Sequence, residues 1–233
     1  MKLRWVVLAL GIVLLVSWVN GEENPVLKNQ KDKVSYVIGT QIGGNLKKQS
    51  IDVNPDILAK GIKDALSGGK TLLTEQETKE TMAAFEKEMM VKHAAMMKTL
   101  GEKNKKEGEA FLADNKKKEG VTTLPSGLEY KVIKAGTGKK PKATDTVTVN
   151  YRGTLTDGTE FDSSYKRGQP ATFAVTGVIP GWTEALQLMG EGAKWQVVVP
   201  PHLGYAERGA GSTIGPNATL IFEIELLSIQ EKK

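Results

Sequence analysis

Asp162, Ser163, Ser164 and His202 supply the side-chain types of a nucleophilic hydrolase: a carboxylate, hydroxyls and an imidazole. Ser163 follows Asp162 directly, however, and no Gly-x-Ser-x-Gly elbow exposes its oxygen, so these residues read as a turn after a strand. Gly136, Gly138, Gly209, Gly211 and Gly215 fall at no phosphate-loop spacing, which argues against nucleotide binding. The 233-residue chain has no cysteine. Disulfides, iron–sulfur clusters, thiolate zinc sites, a cysteine nucleophile and a cysteine-anchored lipid are therefore excluded. With His93 and His202 as the only histidines, a His-rich metal site is excluded too, and the metal-ligand assignment is none. Aromatic residues point elsewhere. Nine of the fourteen lie in residues 125–233 and three in residues 22–124, so a ring-lined apolar pocket is expected in the second stretch.

The elements that would hold such a pocket are strands. After Pro125-Ser126-Gly127, period-two patterns run through Leu128–Val132 and through Val147, Val149 and Tyr151. Asp157-Gly158 between Leu155 and Phe161 signals a hairpin. Trp195–Val199 and Thr219–Leu227 give further strands, the last alternating Leu220, Phe222, Ile224 and Leu226. One short helix follows Pro180-Gly181, with Trp182, Ala185, Leu186 and Met189 at i, i+3, i+4 and i+7. The expected class is α+β, a C-terminal antiparallel sheet wrapped around a short helix and preceded by an all-α region. On the residues alone, Tyr151, Trp182 and Phe222 read as core of any small sheet domain. His93 reads as packing or a solvated flank and His202 as surface.

The all-α region begins with a helix from about Lys31 to Gln49, striped by Val34, Ile38, Ile42 and Leu46. Asn54-Pro55 supplies an N-cap and first-turn proline for a second helix ending at Gly68-Gly69. From Thr74 to about Lys118 there is no proline, and Thr74 with Glu77 makes a capping box, so one long helix is expected. Met82, Phe85, Met89, Met96 and Leu100 share one face. Adaptable Met side chains at heptad spacing suit packing better than metal binding. Met82, Phe85, Met89 and Met96 are accordingly the expected dimer interface, while Lys103–Lys118 reads as a solvated helical spacer. The expected divisions are residues 1–21, 22–73, 74–120 and 121–233.

Residues 1–21 read as a secretory signal peptide: Lys2 and Arg4 precede an apolar run from Trp5 to Val16, and cleavage is expected after Gly21. The alternative, an uncleaved anchor, has only fifteen residues from Trp5 to Val19, against about 20 needed to span a bilayer. The formal charge of +5 falls to +3 without Lys2 and Arg4, and neither half of the remainder is strongly basic. Lys139-Lys140-Pro141-Lys142 lacks interleaved aromatics and reads as a solvated loop, so no nucleic-acid partner is expected.

Several linked motifs in order resemble the FKBP-type peptidyl-prolyl cis/trans isomerases. They are Val149-Asn150-Tyr151-Arg152-Gly153, the run Asp157–Ser164, Val178-Ile179-Pro180-Gly181-Trp182, Gly204-Tyr205, and Pro216–Phe222. Val34–Gly39 and the long charged helix are similar to the dimerisation region of the macrophage infectivity potentiator type. The resemblance implies a catalytic group of Asp162, Tyr205, Phe161 and Tyr151, with Val178, Ile179, Trp182, Ile214, Phe222 and Arg167 binding substrate. Rings matching Tyr151, Phe161, Trp182 and Phe222 form a proline-sized pocket, and Arg167 pairs with the Asp162 carboxylate. The Ile179 N–H and Tyr205 hydroxyl bind substrate carbonyls. The resemblance also implies proline-containing polypeptide substrates, macrolide inhibitors such as rapamycin and no cofactor. It implies a V-shaped homodimer through the N-terminal helices with chaperone-like client binding. The implied location is the periplasm, outer membrane or cell surface of a Gram-negative bacterium, with peripheral outer-membrane association. Ala171 stands where many members carry an aromatic, which predicts a more open pocket, and Leu203 replaces a frequent tyrosine.

Overall fold

The computed structural model describes residues 27–230; the signal-peptide reading falls outside the described residues. Two compact units divide after Thr74. In the first, Asn29 caps α1 (Gln30–Lys48) by accepting from the Asp32 N–H. The Asn54 side chain accepts from the Asp56 and Ile57 N–H groups at the start of α2 (Pro55–Ser67), and Gly68 ends that helix in the left-handed conformation. Both caps follow from side-chain oxygens satisfying first-turn donors. Neither helix has a buried residue.

The second unit starts with α3 (Glu75–Asn115), 41 residues long, or about 62 Å at helical rise. Its buried residues are Gly101, Gly108 and Asn115. Seven residues are almost two turns, so these three share one face. A β-carbon on Gly108 would fall on the Thr219 hydroxyl and 3.2 Å from Thr219 Cβ; one on Gly101 would stand 3.1 Å from Pro216 Cβ. Asn115 Nδ2 donates to the buried Glu129 carboxylate at 2.8 Å. The expectation of a solvated spacer over Lys103–Lys118 is therefore corrected. One face of the segment is seated on the sheet domain, through Gly108 against Thr219 just before β7 and Asn115 against Glu129 of β2.

The strands are β1 (Val121–Thr123), β2 (Glu129–Lys134), β3 (Thr146–Leu155), β4 (Glu160–Ser163), β5 (Ala171–Ala174), β6 (Lys194–Val199) and β7 (Leu220–Gln230). They pair antiparallel in the order β1-β2-β6-β7-β3-β4, with β5 beside the first half of β3. Inward residues Val147, Val149 and Tyr151 of β3, Trp195, Val197 and Val199 of β6, and Leu220, Phe222, Ile224 and Leu226 of β7 form one buried cluster. Against it lies α4 (Pro180–Leu188), with Trp182, Ala185, Leu186 and the following Met189 all buried. The antiparallel sheet around one helix is the expected class. Strands β1 and β5 and three short 3-10 turns were not expected.

Candidate active site

The inward face of the sheet does not close completely over α4. An open cleft of about 690 Å³ remains, lined by Tyr151, Phe161, Asp162, Phe173, Val178, Ile179, Trp182, Tyr205, Ile214 and Phe222 together with Gly177 and Ala210–Thr213. Trp182 is 4% exposed and forms edge-to-face contacts with Tyr151 at 5.1 Å, Phe222 at 5.3 Å and Phe173 at 5.8 Å between centroids. Each such pair adds about 0.5–1.5 kcal/mol beyond area burial, so the floor is rigid. Tyr151, Trp182 and Phe222 are core residues and cleft lining at once.

Phe161 and Asp162 are consecutive, and consecutive strand residues normally face opposite sides of a sheet. A bulge removes the conflict. Gly153 pairs with Asp162, whereas its successor Thr154 pairs with Glu160, leaving Phe161 as an extra residue in β4. The bulge re-aims the strand so that both side chains line the cleft.

The Tyr151 hydroxyl donates to Asp162 Oδ2, Arg167 Nη1 donates to Asp162 Oδ1, and Arg167 Nη2 donates to the Tyr151 oxygen at 2.8 Å. The guanidinium also lies 5.3 Å from the centre of the Tyr151 ring. Burial pushes the Asp162 carboxyl up, but the hydrogen bonds from Tyr151 and Arg167 and the Arg167 charge outweigh it and hold it below the ordinary carboxylate range. Burial, then the bond to Asp162, raises Tyr151. At neutral pH the cleft thus carries an oriented carboxylate beside a protonated phenol.

The Ile179 N–H and the Tyr205 hydroxyl donate to no group among the described residues. Ile179 precedes α4, whose first turn is set by Pro180, and Tyr205 is exposed at the rim. Arg167 does not line the cleft but reaches it through its two bonds. Ser164 is fully buried; its hydroxyl accepts from the Tyr151 N–H at 2.8 Å, which makes it a latch between β3 and the β4 end. His202 is bonded to the Ser126 carbonyl at 2.9 Å, outside the cleft. The hydrolase constellation is not assembled.

Residues 137–227 match the family description "FKBP-type peptidyl-prolyl cis-trans isomerase", and residues 31–132 match "domain amino terminal to FKBP-type peptidyl-prolyl isomerase". The chain belongs to the FKBP-type peptidyl-prolyl cis-trans isomerases. It is 50% identical to the outer membrane protein MIP of Legionella longbeachae over 99% of both chains. It is 46% identical to the peptidyl-prolyl cis-trans isomerase Mip of Coxiella burnetii over 88% of this chain and 90% of that one. The crystal structure of FkpA from Escherichia coli superposes with a TM-score of 0.70 at 40% identity, covering 88% of this chain and 99% of that one. The protein is a peptidyl-prolyl cis-trans isomerase of the Mip/FkpA type.

Four features of this isomerase's site were not anticipated: Phe173, Gly177, the Ala210–Thr213 stretch, and Gly153 beneath the rings. Phe173 had a usable signal, since Ala171 and Phe173 alternate with Thr172 and Ala174 after Pro170. Ala171 does not line the cleft and packs with Leu203 against the buried cluster.

Proposed function

We propose that X-Pro bonds of exported proteins are twisted in this cleft, with Tyr151, Phe161, Trp182 and Phe222 enclosing the proline ring. The observation that carries this reading is an open aromatic cleft holding two donors with no partner among the described residues, the Ile179 N–H and the Tyr205 hydroxyl. Rotation about the imide has a barrier of about 18–20 kcal/mol because it breaks amide resonance. It breaks no covalent bond, so neither nucleophile nor cofactor is needed. The planar form is the more polar one; a dry aromatic wall withdraws water from it and favours the twisted form. The Ile179 and Tyr205 donors hold carbonyls of the chain on either side of the bond that turns. Val178 and Ile214 complete the apolar contact, and Asp162, fixed by Tyr151 and Arg167, stands beside the twisted amide as an orienting charge. An acceleration of about 10⁵-fold asks for about 7 kcal/mol from these effects together. The same shape and apolar lining suit a macrolide such as rapamycin.

The N-terminal region supports a second part of the reading, a homodimer that also holds clients. No residue of α1 or α2 is buried, and Leu66 is 84% exposed. On α3, Met96 is 62% exposed, with Met82, Phe85 and Met89 on the same helix. Apolar faces of this extent in a folded chain call for a covering surface. A second copy supplies it through the N-terminal helices and the Met82, Phe85, Met89 and Met96 face. What remains uncovered grips unfolded chain near the catalytic clefts and raises its local concentration there. The signal-peptide pattern and the name of the Legionella longbeachae relative support a periplasmic or outer-membrane location, with attachment peripheral. Among the described residues no helix is long and apolar enough to cross a membrane.

Sedimentation of the full-length mature chain tests the assembly. A species of twice the chain mass at micromolar concentration is expected, and Met89→Lys should shift it toward the monomer without changing turnover of a tetrapeptide. A monomeric wild type overturns the dimer.

A further inference from the structure

The stretch that closes one side of the cleft is a small hairpin. Ala210 and Ile214 exchange two hydrogen bonds, at 2.8 Å and 3.1 Å, and Ala210 through Ile214 all line the cleft. Its C-terminal leg, Gly215-Pro216-Asn217, turns away from the cleft lining and runs against the middle of α3. There Asn104 Nδ2 donates to the Pro216 carbonyl at 2.8 Å, in a half-buried position. A β-carbon on Gly215 would stand 3.0 Å from both Asn104 Nδ2 and Leu100 Cδ2, and one on Gly101 would stand 3.1 Å from Pro216 Cβ. A second cavity, of about 190 Å³, separates α3 from the other side of the loop, and Thr213 lines both it and the cleft. At Thr213 the wall is one residue thick.

We infer that α3 sets the position of this wall, and that Asn104 is a positioning residue for substrate binding. Proline has a fixed φ, so holding the Pro216 carbonyl fixes the direction in which the chain leaves the hairpin. Among the described residues the hairpin has few backbone restraints of its own: its two internal bonds and one from the Asn217 N–H to the Ala206 carbonyl at 2.8 Å. The helix contact supplies what the hairpin lacks. This rests on the reading of the cleft as the X-Pro site. Asn104 does not line the cleft and acts only through the backbone of the loop, so a shift of the wall is expected to alter the fit of the planar and twisted chain alike. Moving it changes uniform binding, which raises KM and leaves kcat.

The test uses the full-length protein, an Ala-Leu-Pro-Phe substrate and separate determination of kcat and KM. Asn104→Asp keeps the shape, removes the donor and sets a carboxylate against the Pro216 carbonyl. A rise in KM of about three- to tenfold is expected, the scale of one hydrogen bond, with kcat within about twofold of wild type. Gly101→Ala, which presses on Pro216 from another position, should shift KM in the same sense, and both should move the Thr213 and Ile214 amide resonances. Should Asn104→Asp not fold, Asn104→Ala removes the same donor and is read identically. A purely structural role predicts a smaller active fraction, hence lower apparent kcat with unchanged KM and unmoved loop resonances; that result overturns the inference. Phe161→Ala, run alongside, separates the two readings, since full turnover in that variant defeats the cleft assignment itself.

Discussion

Phe161 lies where a side chain on Gly153 would be: a β-carbon at position 153 would stand 2.6 Å from Phe161 Cε2 and 2.9 Å from Phe222 Cε1. The two rings meet edge to face, 5.5 Å apart, over the backbone of β3, and only a residue without a side chain leaves them that room. Gly153→Ala should therefore push the Phe161 ring into the cleft. Overpacking of this kind costs about 1–3 kcal/mol of stability, and a ring displaced into the cleft should separately lower kcat/KM by about tenfold, or about 1.4 kcal/mol of transition-state binding. Tetrapeptide isomerisation with far-UV circular dichroism as a fold control checks this, and an unchanged rate would mean the rings have slack.

The Tyr151–Asp162–Arg167 triangle predicts a pH profile. The folded-state value of Asp162 lies below that of the unfolded chain, about 3.9. The carboxylate therefore contributes stability above its unfolded pKa and loses it as pH falls through the lower folded value. Tyr151 is raised, so its proton stays through the neutral and mildly alkaline range. Activity should be flat from about pH 5 to pH 9 and fall only below the ordinary carboxylate range. Asp162→Asn should flatten the acid limb. An inflection near neutrality in the wild type would contradict the assignment of these protonation states.

On α3, the sign of one substitution is informative. Gly→Ala in a helix interior is ordinarily stabilising by about 1 kcal/mol. At Gly108 the added carbon would meet Thr219, whose hydroxyl is buried without a partner among the described residues. Gly108→Ala should lower the thermal midpoint by a few degrees, at about 2–4 °C per kcal/mol for a unit of this size. Adding Thr219→Ala, which removes the colliding oxygen, should restore most of it. A midpoint raised by Gly108→Ala alone would show that the helix is not seated there.

Much of this was readable before any coordinates. The helical spacing of Trp182, Ala185, Leu186 and Met189 and the alternation of Leu220, Phe222, Ile224 and Leu226 correspond to buried faces, because period and burial are two aspects of one geometry. Asn54-Pro55 starts α2 for local reasons that need no tertiary contact. The bulge at Phe161 was not readable, since it belongs to the register between two strands and leaves no mark within either. Small polar residues at Ala210–Thr213 follow no period, so their place in the cleft wall is set by tertiary contacts. The seat of α3 leaves no sequence signal for a related reason: Gly101, Gly108 and Asn115 are not the apolar residues that mark a buried helix face. Asp162, Arg167 and Tyr205 were picked out by family resemblance, which composition and spacing alone did not supply.

The central claim is that rings around an open cleft, and not a nucleophile, turn the prolyl bond. Protease-coupled isomerisation of Ala-Leu-Pro-Phe by the full chain, with and without rapamycin, tests it most directly beside Phe161→Ala and Ser164→Ala. Rapamycin should abolish turnover, and Phe161→Ala should lower kcat/KM at least about tenfold, or 1.4 kcal/mol. Any loss in Ser164→Ala should track its loss of folded protein. Full turnover in Phe161→Ala, or in the presence of saturating rapamycin, would contradict the account.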